Sequence, residues 1–217
     1  MNNRYNPKIH HRRSIRLRGY DYSRSGLYFI TICTRNRLHL FGKIINGIMA
    51  LNDAGKMVEQ IWNKIPNDFN HTRLHEFIIM PNHTHGIIEI TPATPVGADS
   101  ISAPMDTVPT DTRAEMDSAP TSLVAVAGIP QIIQSFKRCS TIAYINMVKQ
   151  NILPPFDKRV WQRNYWEHII RNENEYYRIA QYIMDNPKKW ALDKLNGGVG
   201  NQVMEPQATY NEEAWMV

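Results

Sequence analysis

Residues 74–90 read LHEFIIMPNHTHGIIEI, two apolar runs separated at Pro81-Asn82. Leu74 to Met80 and His83 to Ile90 have the length and the β-branched content of strands. Pro81 cannot donate to a β-ladder, so it marks the first residues of the second strand and leaves His83 and His85 near an edge or end of a sheet. Side chains two apart on a strand project to the same face, so one ion can meet both imidazoles. Neutral imidazole suits several transition metals, and oxygen ligands completing the site would admit manganese or magnesium. The other reading is two polar residues on a solvated strand face. Two ligands do not make a site, and a third must come from elsewhere.

Outward from this pair the pattern stays mixed. Leu27 to Thr34 is an apolar, β-branched and aromatic run, a further strand. Phe41 to Leu51 holds Asn46-Gly47 between apolar runs, the signal for a type I′ hairpin turn. Asn52 or Asp53 caps a helix whose apolar positions Ala54, Met57, Val58, Ile61, Trp62 and Ile65 follow helical spacing, and Pro66 stops it. Ile132, Ile133, Phe136, Cys139 and Ala143 mark a second amphipathic helix. A last helix runs from about Asn174 to Asn186, ended by Pro187. Strands and helices mixed in so short a chain predict an α+β fold: a four- or five-stranded antiparallel sheet with helices on one face, as in a ferredoxin-like sandwich.

The chain has 217 residues and a formal charge of +5, room for one ordinary domain plus extensions or two small ones. No apolar run reaches the roughly 18 to 20 residues of a membrane helix, and the N-terminus lacks a secretory apolar segment. Cys33 and Cys139 are too few for a disulfide scaffold, and they read as small buried hydrophobes in a reducing cytoplasm. Residues 91–128 are rich in Pro, Thr, Ser, Ala and Asp, carry a charge of −4, and read as a disordered acidic insertion. Residues 191–217 read as a flexible acidic tail. The remaining 152 residues hold 23 Lys and Arg against 11 Asp and Glu, a formal charge of +12. They divide into a basic arm over 1–20 and one folded domain over 21–90 and 129–190.

Three further features bear on chemistry. Tyr182 and Asn186 are four apart and stack on one side of the last helix, either as functional groups or as a core-flanking aromatic and a C-terminal cap. Arg159, Trp161, Arg163, Tyr165 and His168 interleave basic and aromatic residues, as needed to hold phosphates and stack unpaired bases. An amphipathic strand with its aromatics in the core fits them equally. In the arm, Arg4, Lys8, Arg12, Arg13, Arg16 and Arg18 all precede the first acid, Asp21, and the charge of the folded part favours a nucleic-acid contact over a solvated tail. His71 and His75 fit a loop and a strand start better than the metal pair.

Together, three segments resemble the single-tyrosine HUH transposases, and most of all the branch called REP-associated tyrosine transposases. They are His83-Thr84-His85, the run Trp161-Gln162-Arg163-Asn164-Tyr165-Trp166-Glu167-His168-Ile169-Ile170-Arg171, and Tyr182-Ile183-Met184-Asp185-Asn186-Pro187. The opening Arg16-Leu17-Arg18-Gly19-Tyr20-Asp21-Tyr22 is similar too, and the resemblance covers about residues 12–90 and 129–190. It implies a ferredoxin-like nuclease-transesterase acting on single-stranded or hairpin-containing DNA. His83, His85 and Asn186 match the family's ligands for a divalent ion, Mg2+ or Mn2+, with Asn186 where insertion-sequence relatives carry glutamine. Tyr182 matches the nucleophile that forms a 5′-phosphotyrosine link and frees a 3′-hydroxyl. Thr84 departs mildly from the usual apolar middle residue and faces away from the metal. No role transfers to His168, which stays a candidate DNA or supporting contact. The resemblance further implies a monomer or homodimer at the nucleoid of a bacterial cytoplasm. A catalytically silent, domesticated binder of hairpin DNA is the alternative, and a water-activating hydrolase a third.

Overall fold

The structure is a computed structural model and describes residues 16, 17, 19–92 and 126–196. Strand β1 (Gly26–Cys33) leads into a hairpin of β2 (Gly42–Ile45) and β3 (Ile48–Leu51), then α1 (Asp53–Asn63) and the single turn α2 (Ile65–Asp68). After these come β4 (Thr72–Met80), β5 (His83–Ile90), α3 (Ile129–Lys149), β6 (Trp166–Ile170) and α4 (Glu173–Lys189). The four long strands form one antiparallel sheet in the order β4-β5-β1-β6. Setting the hairpin aside, β1-α1-β4 and β5-α3-β6 are two split β-α-β units, each crossing over a strand of the other. This is the ferredoxin-like sandwich expected from the sequence.

Helices α1 and α3 share one face, where Val58, Trp62, Ile132 and Phe136 pack on Tyr28, Ile30, Ile32, Ile88 and Ile90. Helix α4 is an addition to that layer and takes the opposite face. There Ile179 and Ile183 cover Phe29, Ile87 and Ile170. The reason lies in β1 and β5, which are apolar on both sides, so helices on a single face would leave Phe29 and Ile87 in water. Within the first layer, Trp62 stacks on Phe77 with centroids 4.4 Å apart and planes 8° from parallel, directly over Gly86. The ladder shifts between Leu74 and Phe77, and this bulge sends His75 and Glu76 together towards Tyr176 of α4. His75 also meets Glu89 at 3.0 Å, so it serves the far end of α4.

Local signals agree with these elements in most places. Asn46 and Gly47 have φ of 51° and 74°, as a type I′ turn requires. The Asn52 side chain caps α1 by accepting from Gly55 N at 2.9 Å, and the Asn172 side chain caps α4 by accepting from Glu175 N at 2.9 Å. Two prolines behave differently from expectation. Pro66 sits in the first turn of α2, where its missing N–H costs nothing. Pro187 does not end α4, which continues to Lys189, because a proline in the last turn removes one bond and its buried ring packs well. Where the sequence reads as the start of a flexible tail, Trp190–Leu192 and Lys194–Asn196 form 3-10 turns. At the two ends of the segment read as an insertion, Thr91 N donates to His71 O at 2.8 Å, and His71 Nε2 meets Ala127 O at 2.8 Å. Residues 93–125 and 197–217, with Arg12, Arg13 and Arg18, lie outside the described residues. No helix among the described residues is long and apolar enough to cross a membrane.

The Trp62 stack gives the first prediction. A Cβ on Gly86 would overlap the Trp62 ring and come within 2.9 Å of Phe77. Gly86→Ala should therefore cost about 1–3 kcal/mol by overpacking, read as a lower urea midpoint. An unchanged midpoint would mean that the ring does not rest on the strand.

Candidate active site

Strand β5 enters the sheet at His83, opposite Cys33 at the end of β1. Its odd-numbered residues face α4, so His83 and His85 lie under the C-terminal half of that helix. Both are buried, at 0% and 2% exposure, and neither lies on a solvated face. Their Nε2 atoms stand 3.0 Å apart. From above, Tyr182 brings its hydroxyl to 3.4 Å from His85 Nε2, and one turn later Asn186 is 3% exposed. Asn186 lies inside α4 and is not its cap, a position taken by Trp190. Phe29 stacks on His85 with centroids 5.4 Å apart and meets Tyr182 edge-on at 6.2 Å, fixing both rings.

The hydrogen bonds fix how His83 is protonated. Asn82 is fully buried, and its Nδ2 donates to Leu195 O at 2.7 Å and to Arg37 O at 3.2 Å. Carbonyl oxygens only accept, so the Asn82 amide has one orientation, with Oδ1 towards His83 Nδ1 at 2.8 Å. His83 therefore carries its proton on Nδ1 and leaves Nε2 as a lone pair. His85 Nδ1 is engaged by Thr31 Oγ1 at 2.7 Å, the kind of support that holds a ligating imidazole in place. Burial, and next the neighbouring His85, pulls the His83 pKa well down, and burial pulls His85 to about 3. Both rings are thus neutral at physiological pH.

This donor set fits a cation. Two neutral imidazoles bring their Nε2 atoms to 3.0 Å from each other, and Asn186 Oδ1 is buried with no hydrogen-bond partner among the described residues. An unpaired buried carbonyl oxygen is costly unless something electropositive faces it. No three His, Cys, Asp or Glu side chains among the described residues stand close enough together, as placed, to hold an ion, and the Asn186 amide adds an oxygen to the histidine pair. Tyr182 is half-buried; burial, and then the Asp193 carboxylate, push its pKa up to about 12, while a hydrogen bond from Asn186 acts the other way. Thr31, Asn82 and Asp193 complete the site without any spacing signal that marks them in the sequence.

The residues proposed for DNA contact scatter. Arg159 and Arg163 are exposed and join Lys137, Arg138 and Lys158 around a concavity of about 400 Å³. Trp161 lines its floor but is 4% exposed, with its ring against Phe41 and Phe136 and its Nε1 donating to Ser140 Oγ at 2.8 Å. Its ring is core, with no open face for a base. Tyr165 lies between Arg16 and Lys137, each cation 5.3 Å from the ring centre. Arg16 also donates to Tyr165 Oη at 2.9 Å and stands 3.6 Å from Glu167. His168 ties β6 to α4 through Glu175 at 2.7 Å. Trp166, outside that set, is 39% exposed on the edge strand and pairs with Thr31.

The two neutral histidines set the second prediction. In the unfolded chain they bind protons below about pH 6.5, whereas in the fold their lowered pKa values keep them neutral, so stability falls as pH drops from 6.5 towards 3. Each contributes a slope of about 1.4 kcal/mol per pH unit. With EDTA present, urea midpoints of the wild type should fall more steeply between pH 6.5 and 5 than those of His85→Gln. Equal slopes would contradict buried neutral rings.

No family model matches the chain. An uncharacterized protein of Haemophilus influenzae is 44% identical over 195 residues, spanning 90% of this chain and 98% of that protein. Solved structures similar to the chain include a REP-associated tyrosine transposase bound to a REP hairpin and a candidate transposase from Deinococcus radiodurans. The first has a TM-score of 0.47 and 21% identity over 83% of this chain and 77% of that one. The second has a TM-score of 0.40 and 16% identity over 79% of this chain and 97% of that one. Both TM-scores lie below 0.5. With 44% identity along nearly the whole of both proteins, the chain belongs to the same family as the Haemophilus influenzae protein.

Proposed function

We propose that the chain is a metal-dependent transposase-nuclease that cuts and rejoins single-stranded, hairpin-associated DNA through Tyr182. One observation carries this reading. A tyrosine hydroxyl, two imidazole Nε2 atoms and an amide on the next turn of the same helix converge in one buried place, with His85 Nε2 3.0 Å from His83 and 3.4 Å from the phenol. A purely structural core needs none of these groups, and a DNA binder without chemistry needs neither the lone-pair geometry nor the tyrosine.

Each residue then has a task. Tyr182 Oη attacks the scissile phosphorus, the bond to the 3′ oxygen breaks, and a 5′-phosphotyrosine and a free 3′-hydroxyl result. The covalent link conserves the phosphodiester energy, so rejoining needs no nucleotide. His83, His85 and Asn186 would hold Mn2+ or Mg2+, which when bound neutralises charge on a phosphate oxygen and stabilises the developing pentacovalent state. Asn82 and Thr31 keep both imidazoles aimed. The Asn186 amide bonds the phenol and steadies the anion that forms there. Phe29 fixes the Tyr182 ring from the side and helps to exclude water.

The concavity ringed by Lys137, Arg138, Lys158, Arg159 and Arg163 suits a phosphate backbone. Its floor is joined to the catalytic end of the sheet, since Gln162 N donates to Cys33 O at 2.9 Å and Cys33 pairs with His83. Exposed Trp166, across from the Thr31 that supports His85, offers an open ring for an unpaired base.

Mixed with Mn2+ and labelled single-stranded DNA carrying a hairpin, the protein should give a denaturation-resistant covalent adduct, absent in Tyr182→Phe and in EDTA. Cleavage without an adduct would favour a water-activating hydrolase, and binding with neither would favour the silent binder. The basic concavity makes a separate prediction. Replacing Lys158, Arg159 and Arg163 by alanine should flatten the dependence of log affinity on log salt by roughly 0.7 to 0.9 for each phosphate no longer neutralised. An unchanged slope would move the DNA elsewhere.

A further inference from the structure

We infer that Asp193 is a fourth ligand of the same ion, so that the 3-10 turns after α4 form one wall of the metal site. This rests on the metal reading given above and extends it to a residue outside the three matched segments. The Asp193 side chain is 9% exposed and lies over the histidine pair, with Oδ2 at 3.8 Å from His83 Nε2. Its Oδ1 accepts from Leu195 N at 2.7 Å, while Oδ2 is buried with no hydrogen-bond donor among the described residues. A buried carboxylate oxygen without a donor is among the costlier things a fold can keep. Asn186 Oδ1 is the other unpartnered oxygen of this site. Two unpaired oxygens, the Nε2 lone pair of His83 and the His85 Nε2 3.0 Å from it are the donors that an N2O2 cation site would use.

The turn that carries Asp193 is built to stay there. Arg37 Nη1 donates to Lys194 O at 2.8 Å, and Asn196 Nδ2 donates to Trp190 O at 2.9 Å. The Trp190 ring lies over His83 with centroids 5.9 Å apart. Above all, the Asn82 amide that orients His83 through Oδ1 also grips Leu195 O through Nδ2 at 2.7 Å. One buried side chain thus sets the aim of an imidazole and the position of the carboxylate facing it. Donors about 2.1–2.2 Å from one ion lie roughly 3.0 to 3.6 Å apart. The histidine pair meets this spacing, and Asp193 Oδ2 stands a few tenths of an ångström outside it, a distance that a small shift of the turn closes. A single carboxylate also strengthens the hold on a hard ion such as Mn2+ while leaving the ion-ligand unit positive towards a phosphate.

The test is Mn2+ binding to the full chain, by calorimetry and by the melting shift that Mn2+ produces, for wild type, His83→Ala and Asp193→Asn. Wild type should bind one ion and His83→Ala none. Asp193→Asn should bind at least about tenfold more weakly, with a metal-free melting temperature no lower than that of wild type because Oδ2 has no donor to lose. Wild-type affinity in Asp193→Asn would overturn the fourth ligand and leave the histidine-amide site standing. Failure of the wild type itself to bind would overturn the metal reading. Should Asp193→Asn melt early without metal, the Co2+ visible spectrum decides. Ligand-field bands shifted from wild type support direct coordination, and an identical spectrum overturns it.

Discussion

Because Gly26 pairs with Ile90 and Cys33 with His83, the even-numbered residues of β5 face α1 and α3 and the odd-numbered ones face α4. Ile88 and Ile90 enter one core, Ile87 enters the other, and His83 and His85 occupy the end of the second. A slip of one residue would exchange the two sets and put both imidazoles among Trp62 and Phe136. Gly86 guards the register from the other side, since Trp62 sits where its side chain would be. The site inherits its precision from this pairing. β5 lies between β1 and β4, so neither histidine can move without breaking two ladders.

The same arrangement explains how a small domain tolerates so much buried polarity. Thr31, Asn82, His83, His85 and Asn186 are all buried near one end of the sheet. Most of their polar atoms satisfy one another: Thr31 with His85, Asn82 with His83 and with two carbonyls. Two oxygens of this region, on Asn186 and Asp193, are buried without a hydrogen-bond partner among the described residues. A well-packed apolar end would be more stable, so a polar network of this kind is kept for specificity or chemistry. Asn82 is its centre, because one amide fixes both an imidazole and the turn after α4.

Much of this is legible in the sequence where the signal is local. Period two places His83 and His85 together, a spacing of four places Tyr182 over Asn186, and Asn46-Gly47 names its own turn. What escapes has a distant partner. Asn82 reads as a turn residue because its partners, Arg37 and Leu195, lie 45 and 113 positions away. Asp193 falls in a polar, acidic stretch before a glycine run, where composition argues against burial. Periodicity also cannot tell which face of a sheet a helix will cover, so the sequence pattern alone sets α4 beside α1 and α3. The aromatic run 161–168 illustrates the same limit. Trp161 is core and Trp166 is open, and only the pairing of Thr34 with Trp161 separates them.

The central claim is that Tyr182 forms the covalent bond to DNA. Trypsin cuts after Arg178 and Lys188 and releases residues 179–188, IAQYIMDNPK, in which Tyr182 is the only tyrosine. After reaction with DNA and nuclease trimming, mass spectrometry of the digest should find this peptide carrying a nucleotide through a phosphodiester, with fragment ions placing it on Tyr182. A nucleotide on Tyr176, Tyr177 or any other residue, with Tyr182 unmodified, would contradict the account.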